Sequence, residues 1–177
     1  MGLLGKDKEL ADAAAQGNLE QVMEYAKFWG NPKFNHSEAL QRAAMEGHTD
    51  VVAFLIPLSD PNAERGFALK TASVRGYTQC VRLLLECTDL NARSDNSMTV
   101  GTHALYCAAR NGYYDTVDLI FEHISNEDVF KVLDNLDLTD EVEYRTYLQD
   151  KLTARTQRAV LEHQIASTPG VLVPRKM

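Results

Sequence analysis

Long apolar runs are missing from this chain: no stretch of its 177 residues reaches the roughly 18 consecutive apolar positions that suggest a membrane span. The N-terminus has no signal-peptide apolar run, and Met1-Gly2-Leu3-Leu4-Gly5-Lys6 puts Lys6 where a myristoylation site wants Ser or Thr, so it reads as a disordered lead. Cysteine is scarce and unpaired. Cys80, Cys87 and Cys107 have neither disulfide-framework nor metal spacing, which points to a reducing compartment and to thiols used as packing. Basic residues are outnumbered 18 to 25, and a net charge of −7 argues against general nucleic-acid binding, which draws its affinity from clustered Lys and Arg. Lys151, Arg155 and Arg158 would share one helix face. That face reads as solvated or as a phosphate site, and the acids at Asp134, Asp137, Asp140, Glu141 and Glu143 are equally able to pair with it.

Catalytic signatures are also lacking. His36, His48, His103, His123 and His163 are scattered without H-E-x-x-H spacing, and neither a G-x-S-x-G elbow nor a G-x-x-x-x-G-K-[ST] phosphate loop occurs. The expectation is a non-enzyme with no cofactor and no metal. At 45% hydrophobic and 24% charged the composition is that of an ordinary soluble domain, expected in the cytoplasm, a host cell's included.

What the chain does contain is repetition. Leu10, Ala13, Ala14, Gly17 and Val22 recur as Leu40, Ala43, Ala44, Gly47 and Val52, then Leu69, Ala72, Ser73, Gly76 and Val81, then Leu105, Ala108, Ala109, Gly112 and Val117. The glycines step by 30, 29 and 36 residues, within the period range of a solenoid. Paired small residues let one helix lie close against another. The glycine ends that helix in a left-handed conformation, and a second helix follows with apolar residues at spacings of three and four, such as Val51, Val52, Leu55 and Ile56. Neither helix buries its face alone, so the units must stack.

These residues resemble the ankyrin repeats, whose pattern runs T-P-L-H-x-A-A-x-x-G-H-x-x-V-V-x-x-L-L. The second unit, from Leu40 to Ile56, matches it through Gly47-His48 and Val51-Val52, and Thr88 to Arg93 looks like the inter-repeat turn. The T-P pair is replaced by Glu38-Ala39, Phe67-Ala68 and His103-Ala104, and the motif's His by Ala11, Gln41, Lys70 or Tyr106. This flavour is similar to divergent arrays of bacteria, phages and large viruses.

The resemblance implies that first helices and the turns before them line a concave side and second helices a convex back. It places the variable pairs between Ala-Ala and Gly on the inner side, among them Met45-Glu46, Val74-Arg75 and Arg110-Asn111, with Cys107 tending to that side as a partly exposed thiol. Tyr77 and Tyr113 follow two of the glycines, and they either join that face or replace the usual His and pack between units. The long third step falls in Arg93 to Thr102, rich in turn-forming residues, which reads as an extended finger. The candidate partner-binding residues are therefore Arg42, Met45, Glu46, Val74, Arg75, Tyr77, Arg93, Asp95, Asn96, Arg110, Asn111 and Tyr113.

Beyond residue 125 the repeat stops. Ser125-Asn126-Glu127-Asp128 reads as a helix start, with Phe130, Leu133 and Leu136 as its apolar side, and a longer helix runs from about residue 140 to 166. These segments either cap the fourth unit or form a dimer or partner-binding helix. The predicted protein is an all-α, ankyrin-like helical solenoid of about four helix-turn-helix repeats with a C-terminal helical cap. Residues 1–124 form the array, 125–166 the cap or extension, and 167–177 a flexible tail. The expected partner is another protein, bound by an adaptor or inhibitor. The alternatives are a structural subunit homodimerising through 140–166, and a host-directed viral or bacterial effector.

Overall fold

The computed structural model describes residues 3–28, 30–94, 98–135 and 142–167, grouped in two compact units, 1–136 and 137–177. The first unit holds four helix pairs: α1 (Leu3–Ala15) with α2 (Leu19–Phe28), α3 (Phe34–Glu46) with α4 (Thr49–Leu55), α5 (Ala63–Val74) with α6 (Thr78–Leu85), and α7 (Val100–Arg110) with α8 (Tyr114–Phe121). A ninth helix, α9 (Asn126–Asn135), follows. First helices pack in sequence, α1 on α3, α3 on α5, α5 on α7 and α7 on α9, while α2, α4, α6 and α8 form a second layer. The result is an all-helical solenoid.

The Ala-Ala-x-x-Gly phrase does two jobs. Gly17, Gly47, Gly76 and Gly112 have φ of 69, 80, 69 and 79°, the left-handed region that glycine enters without a Cβ clash. The next residue then donates its N–H back to the carbonyl of the first Ala: Asn18 to Ala13, His48 to Ala43, Tyr77 to Ala72 and Tyr113 to Ala108, at 3.0–3.1 Å. This is a Schellman cap, which satisfies carbonyls the helix end would leave bare. The Ala side chains meanwhile are at most 2% exposed, as are the repeated Leu and Val positions. Ser73, which stands for the second Ala of unit three, donates its hydroxyl to the Leu69 carbonyl at 2.8 Å and so is buried without an orphan group.

The turns between units repeat as closely. The N–H groups of Asn31, Asp60 and Asp89, 29 residues apart, donate to side-chain oxygens of Asp7, Ser37 and Asn62 at 2.7–2.8 Å. Each of the three then accepts from the N–H two residues on, at Lys33, Asn62 and Asn91, which closes an Asx turn. Just after two of these turns the backbone is left-handed at non-glycine residues, Asn35 (φ 46°) and Ser37 (φ 65°) in unit two and Glu64 (φ 50°) and Arg65 (φ 56°) in unit three.

Three expectations are corrected. The lead is helical from Leu3, because Lys6 pairs with Glu9 at 2.7 Å and Asp7 is anchored to the first turn. The finger is shorter than its composition implies, since Thr99 caps α7 by accepting from the Thr102 N–H and the helix starts at Val100. Its base is a hairpin, closed by Ser94 N–H to Met98 O at 2.8 Å and Val100 N–H to Ala92 O at 2.9 Å. In α9 the buried apolar side chains are Val129, Val132 and Leu133, while Phe130 is 56% exposed; Leu136 lies outside the described residues. Ser125 caps this helix, its Oγ accepting from the Asp128 N–H at 3.1 Å and donating to the Asp128 carboxylate at 2.7 Å.

The second unit contains α10 (Val142–Ser167), against the expected 140–166; residues 140 and 141 and the tail from 168 lie outside the described residues. Arg158 pairs with Glu162 at 2.9 Å and the Lys151 ammonium sits 5.4 Å from the Tyr147 ring centre, so both of these bases on the basic face are engaged within the helix itself.

Candidate functional site

Stacking brings equivalent positions of neighbouring first helices side by side. Asp12 and Arg42, each two residues after the motif Leu, meet at 2.9 Å, and Glu46 and Arg75, each two after the second small residue, meet at 3.7 Å. That register predicts the rest of the face. In α5 the outward stripe is Phe67, Thr71 and Val74; its counterparts are Glu38, Arg42 and Met45 in α3, and His103, Cys107 and Arg110 in α7. Phe67 is 37% and Val74 42% exposed. Unit three therefore sets two apolar side chains in the open where the flanking helices carry mostly polar or charged groups.

The sequence-predicted residues divide into three groups on this frame. Met45, Glu46, Val74, Arg75, Arg110 and Asn111 come together on adjacent first helices, as the repeat register requires. Arg42 belongs to the same face but is committed to internal pairs, Nη1 to Asp12 and Nη2 to Glu38 at 2.6 Å, and so ties unit two to unit one. Asn111 caps its own helix, donating to the Cys107 carbonyl at 2.7 Å.

Tyr77 and Tyr113 form the second group, placed on the turns and packed against the preceding unit. A Cβ built on Gly47 would lie 2.8 Å from Tyr77 Cδ1, and one on Gly76 would press on the Tyr113 ring, just as one on Gly17 would meet the His48 ring. His48 adds a hydrogen bond to the Ala15 carbonyl at 3.0 Å. The third group is the finger, where Arg93 sits exposed at the hairpin base opposite Thr99, while Asp95 and Asn96 lie outside the described residues. Phe67 and Thr71 were missed because the variable pairs before each glycine drew the reading. The signal was present in the position two before the motif Leu, where Phe67 aligns with Glu38 and His103.

Two groups on this face have shifted ionisation. Glu38 is held below the usual carboxylate range, first by the amide of Asn35 donating at 2.8 Å and then by Arg42. Cys107 is pushed up to about 11 by burial, with Lys70 and Arg110 pulling weakly the other way, so its thiol is protonated and a poor nucleophile near neutral pH. Among the described residues no group of three His, Cys, Asp or Glu side chains is placed to hold a metal ion, and no helix is long and apolar enough to cross a membrane.

No curated protein matches the chain. A family profile described as ankyrin repeats (3 copies) does, over residues 10–94 and again over 59–131. The matched span runs from the motif Leu of unit one into α9, well over half of the sequence, and it takes in the four Schellman glycines and the helix pairs apart from the first seven residues of α1. By this match the chain belongs to the ankyrin-repeat family.

Proposed function

We propose that this protein is an adaptor or inhibitor that occupies the surface of another protein with the first-helix face of units two to four. Ankyrin repeats are generally protein–protein interaction modules, and the observation that carries the finer reading is the exposure of Phe67 and Val74 in a register whose neighbours are mostly polar. An apolar centre inside a charged rim is the usual anatomy of a recognition surface. Arg75, Arg110 and Glu46 supply the rim, with Met45 beside the centre and Arg93 at the finger; Asp95 and Asn96 are carried in this proposal from the sequence alone. Arg is among the side chains that most often carry interface energy. Tyr113, 37% exposed, adds an edge at the turn side while its ring covers Gly76. Arg42 holds the face in register rather than reaching outward. The proposed site of action is the cytoplasm, and no step of the reading needs catalysis.

The test is affinity capture from the source cell with mass spectrometry, run on the parent chain, on Phe67→Asp with Val74→Asp, and on Gln79→Ala with Asp118→Ala on the second-helix layer. The first pair should lose a partner that the second retains, by about 2 kcal/mol or more in a later titration. Retention by the first pair with loss in the second would place binding on the opposite layer and refute the reading. Circular-dichroism melts of both pairs should stay near the parent, since none of the four residues is buried.

A second reading rests on a separate observation. Within α10, Val160, Leu161 and Ile165 are each at least half exposed, which supports a homodimer contact in the 140–166 segment. Light scattering after size exclusion decides it: a monomer for the parent chain excludes this contact, and a dimer that Leu161→Glu dissociates supports it.

A further inference from the structure

Charge is sorted between the two layers of units three and four. The first-helix layer there, α5 with the Arg75 that follows it and α7, exposes Arg65, Arg75 and Arg110 against Glu64, while Lys70 is buried. The second-helix layer of the same units, α6 and α8 with the glutamates that end them, is the inverse, with Arg82 against Glu86, Asp115, Asp118 and Glu122. In a chain of net charge −7 a local excess of positive charge is not the default. It is also narrow. On one side α3 with its cap is balanced, Lys33 and Arg42 against Glu38 and Glu46, and on the other α9 carries Lys131 against Glu127, Asp128 and Asp134. The exposed Phe67 and Val74 lie within this strip.

We propose that the α5–α7 strip takes an acidic protein segment bearing an apolar side chain, the apolar group seated on Phe67 and Val74 and the carboxylates on Arg110 and on Arg75, where they compete with the long, exposed contact to Glu46 at 3.7 Å. Complementary charge of this kind steers encounter and rejects wrong partners, while the apolar seat supplies area. The strip is two helices wide, and a nucleic-acid backbone laid across the array would meet a balanced α3 on one border and a net-negative α9 on the other. The inference rests on the first-helix face being the recognition surface, and adds the chemistry of what it recognises.

A displayed random peptide library selected on the full chain tests it without knowledge of the natural partner. Enriched peptides should be net acidic with at least one large apolar residue. Arg75→Glu with Arg110→Glu should weaken them by about tenfold or more, and added salt should weaken them as well. Asp115→Lys with Asp118→Lys should not weaken them. The milder Arg75→Gln with Arg110→Gln, checked by thermal melt, guards against a misfolded variant and should still cut affinity. Neutral or basic winners that are lost on Phe67→Asp with Val74→Asp overturn the acidic inference and leave the recognition face standing. Acidic winners indifferent to that pair overturn the face itself, and absence of any enrichment counts against both. Displacement of the acidic winners by an oligo-dT of equal charge would replace the protein segment with nucleic acid.

Discussion

A methyl group added at Gly47 meets two obstacles at once. The φ of 80° is one that L side chains adopt at a cost of about 1–2 kcal/mol, and the new Cβ would press on the Tyr77 ring 2.8 Å away. Gly47→Ala should therefore lower stability by more than that backbone cost alone, read by urea or thermal melts. Gly5, in α1 with nothing within 4 Å of its would-be Cβ, is the control: Gly5→Ala should gain about 0.5–1 kcal/mol from helix propensity. A second residue-scale effect is set by pH. Because Glu38 has a depressed pKa, its contribution is fully present above the ordinary carboxylate value of 4.5 and is lost as pH falls through its lower folded-state value. Melts from about pH 6 to pH 3 should show the parent losing its margin over Glu38→Gln as the carboxylate protonates. A constant margin across that range would remove the ion pairs to Arg42 and the Asn35 contact from the stability argument.

At the scale of elements the helix pairs depend on contrast between small and large. Leu55 of α4 is fully buried in the second layer, and Leu55→Ala should cost about 2–5 kcal/mol through the cavity it leaves. Ala44 is fully buried on α3, and Ala44→Leu should cost about 1–3 kcal/mol by overpacking. Thermal melts indistinguishable from the parent in both would mean the packing is not as described. These positions were legible in the sequence because burial imposes its period directly on residue choice, as at Leu40, Ala43, Ala44 and Val52. The starts of the first helices were not. They depend on hydrogen bonds from distant turns, such as Asn31 to Asp7, and on left-handed backbone at Ser37, Glu64 and Arg65, residues whose types do not announce it. The candidate face was half legible for a related reason. Charged members such as Arg75 and Arg110 fall in variable slots that a repeat alignment exposes, whereas Phe67 stands in the slot of the T-P pair, and only the register of Asp12 with Arg42 shows which side of α5 is open.

Taken as a whole, the array has interchangeable joints. The turn donors Asn31, Asp60 and Asp89 are evenly spaced, and the ring that covers Gly17, Gly47 or Gly76 comes from the unit that follows. Residues 60–88 thus begin and end at equivalent points. A second copy of that segment inserted before Asp89 would offer its own Asp60 N–H to the first copy's Asn62, its own Tyr77 ring to the first copy's Gly76, and its own Gly76 to Tyr113. The lengthened chain should fold with more helix by circular dichroism and a melting temperature no lower than the parent's, since neighbours alone set each unit's stability. Collapse of the melt on insertion would show that these joints are not equivalent. The ladder of turns thus makes the reach of the protein a countable property: its surface can be lengthened by one helix pair at a time, each addition laying another Phe67, Val74 and Arg75 alongside the last.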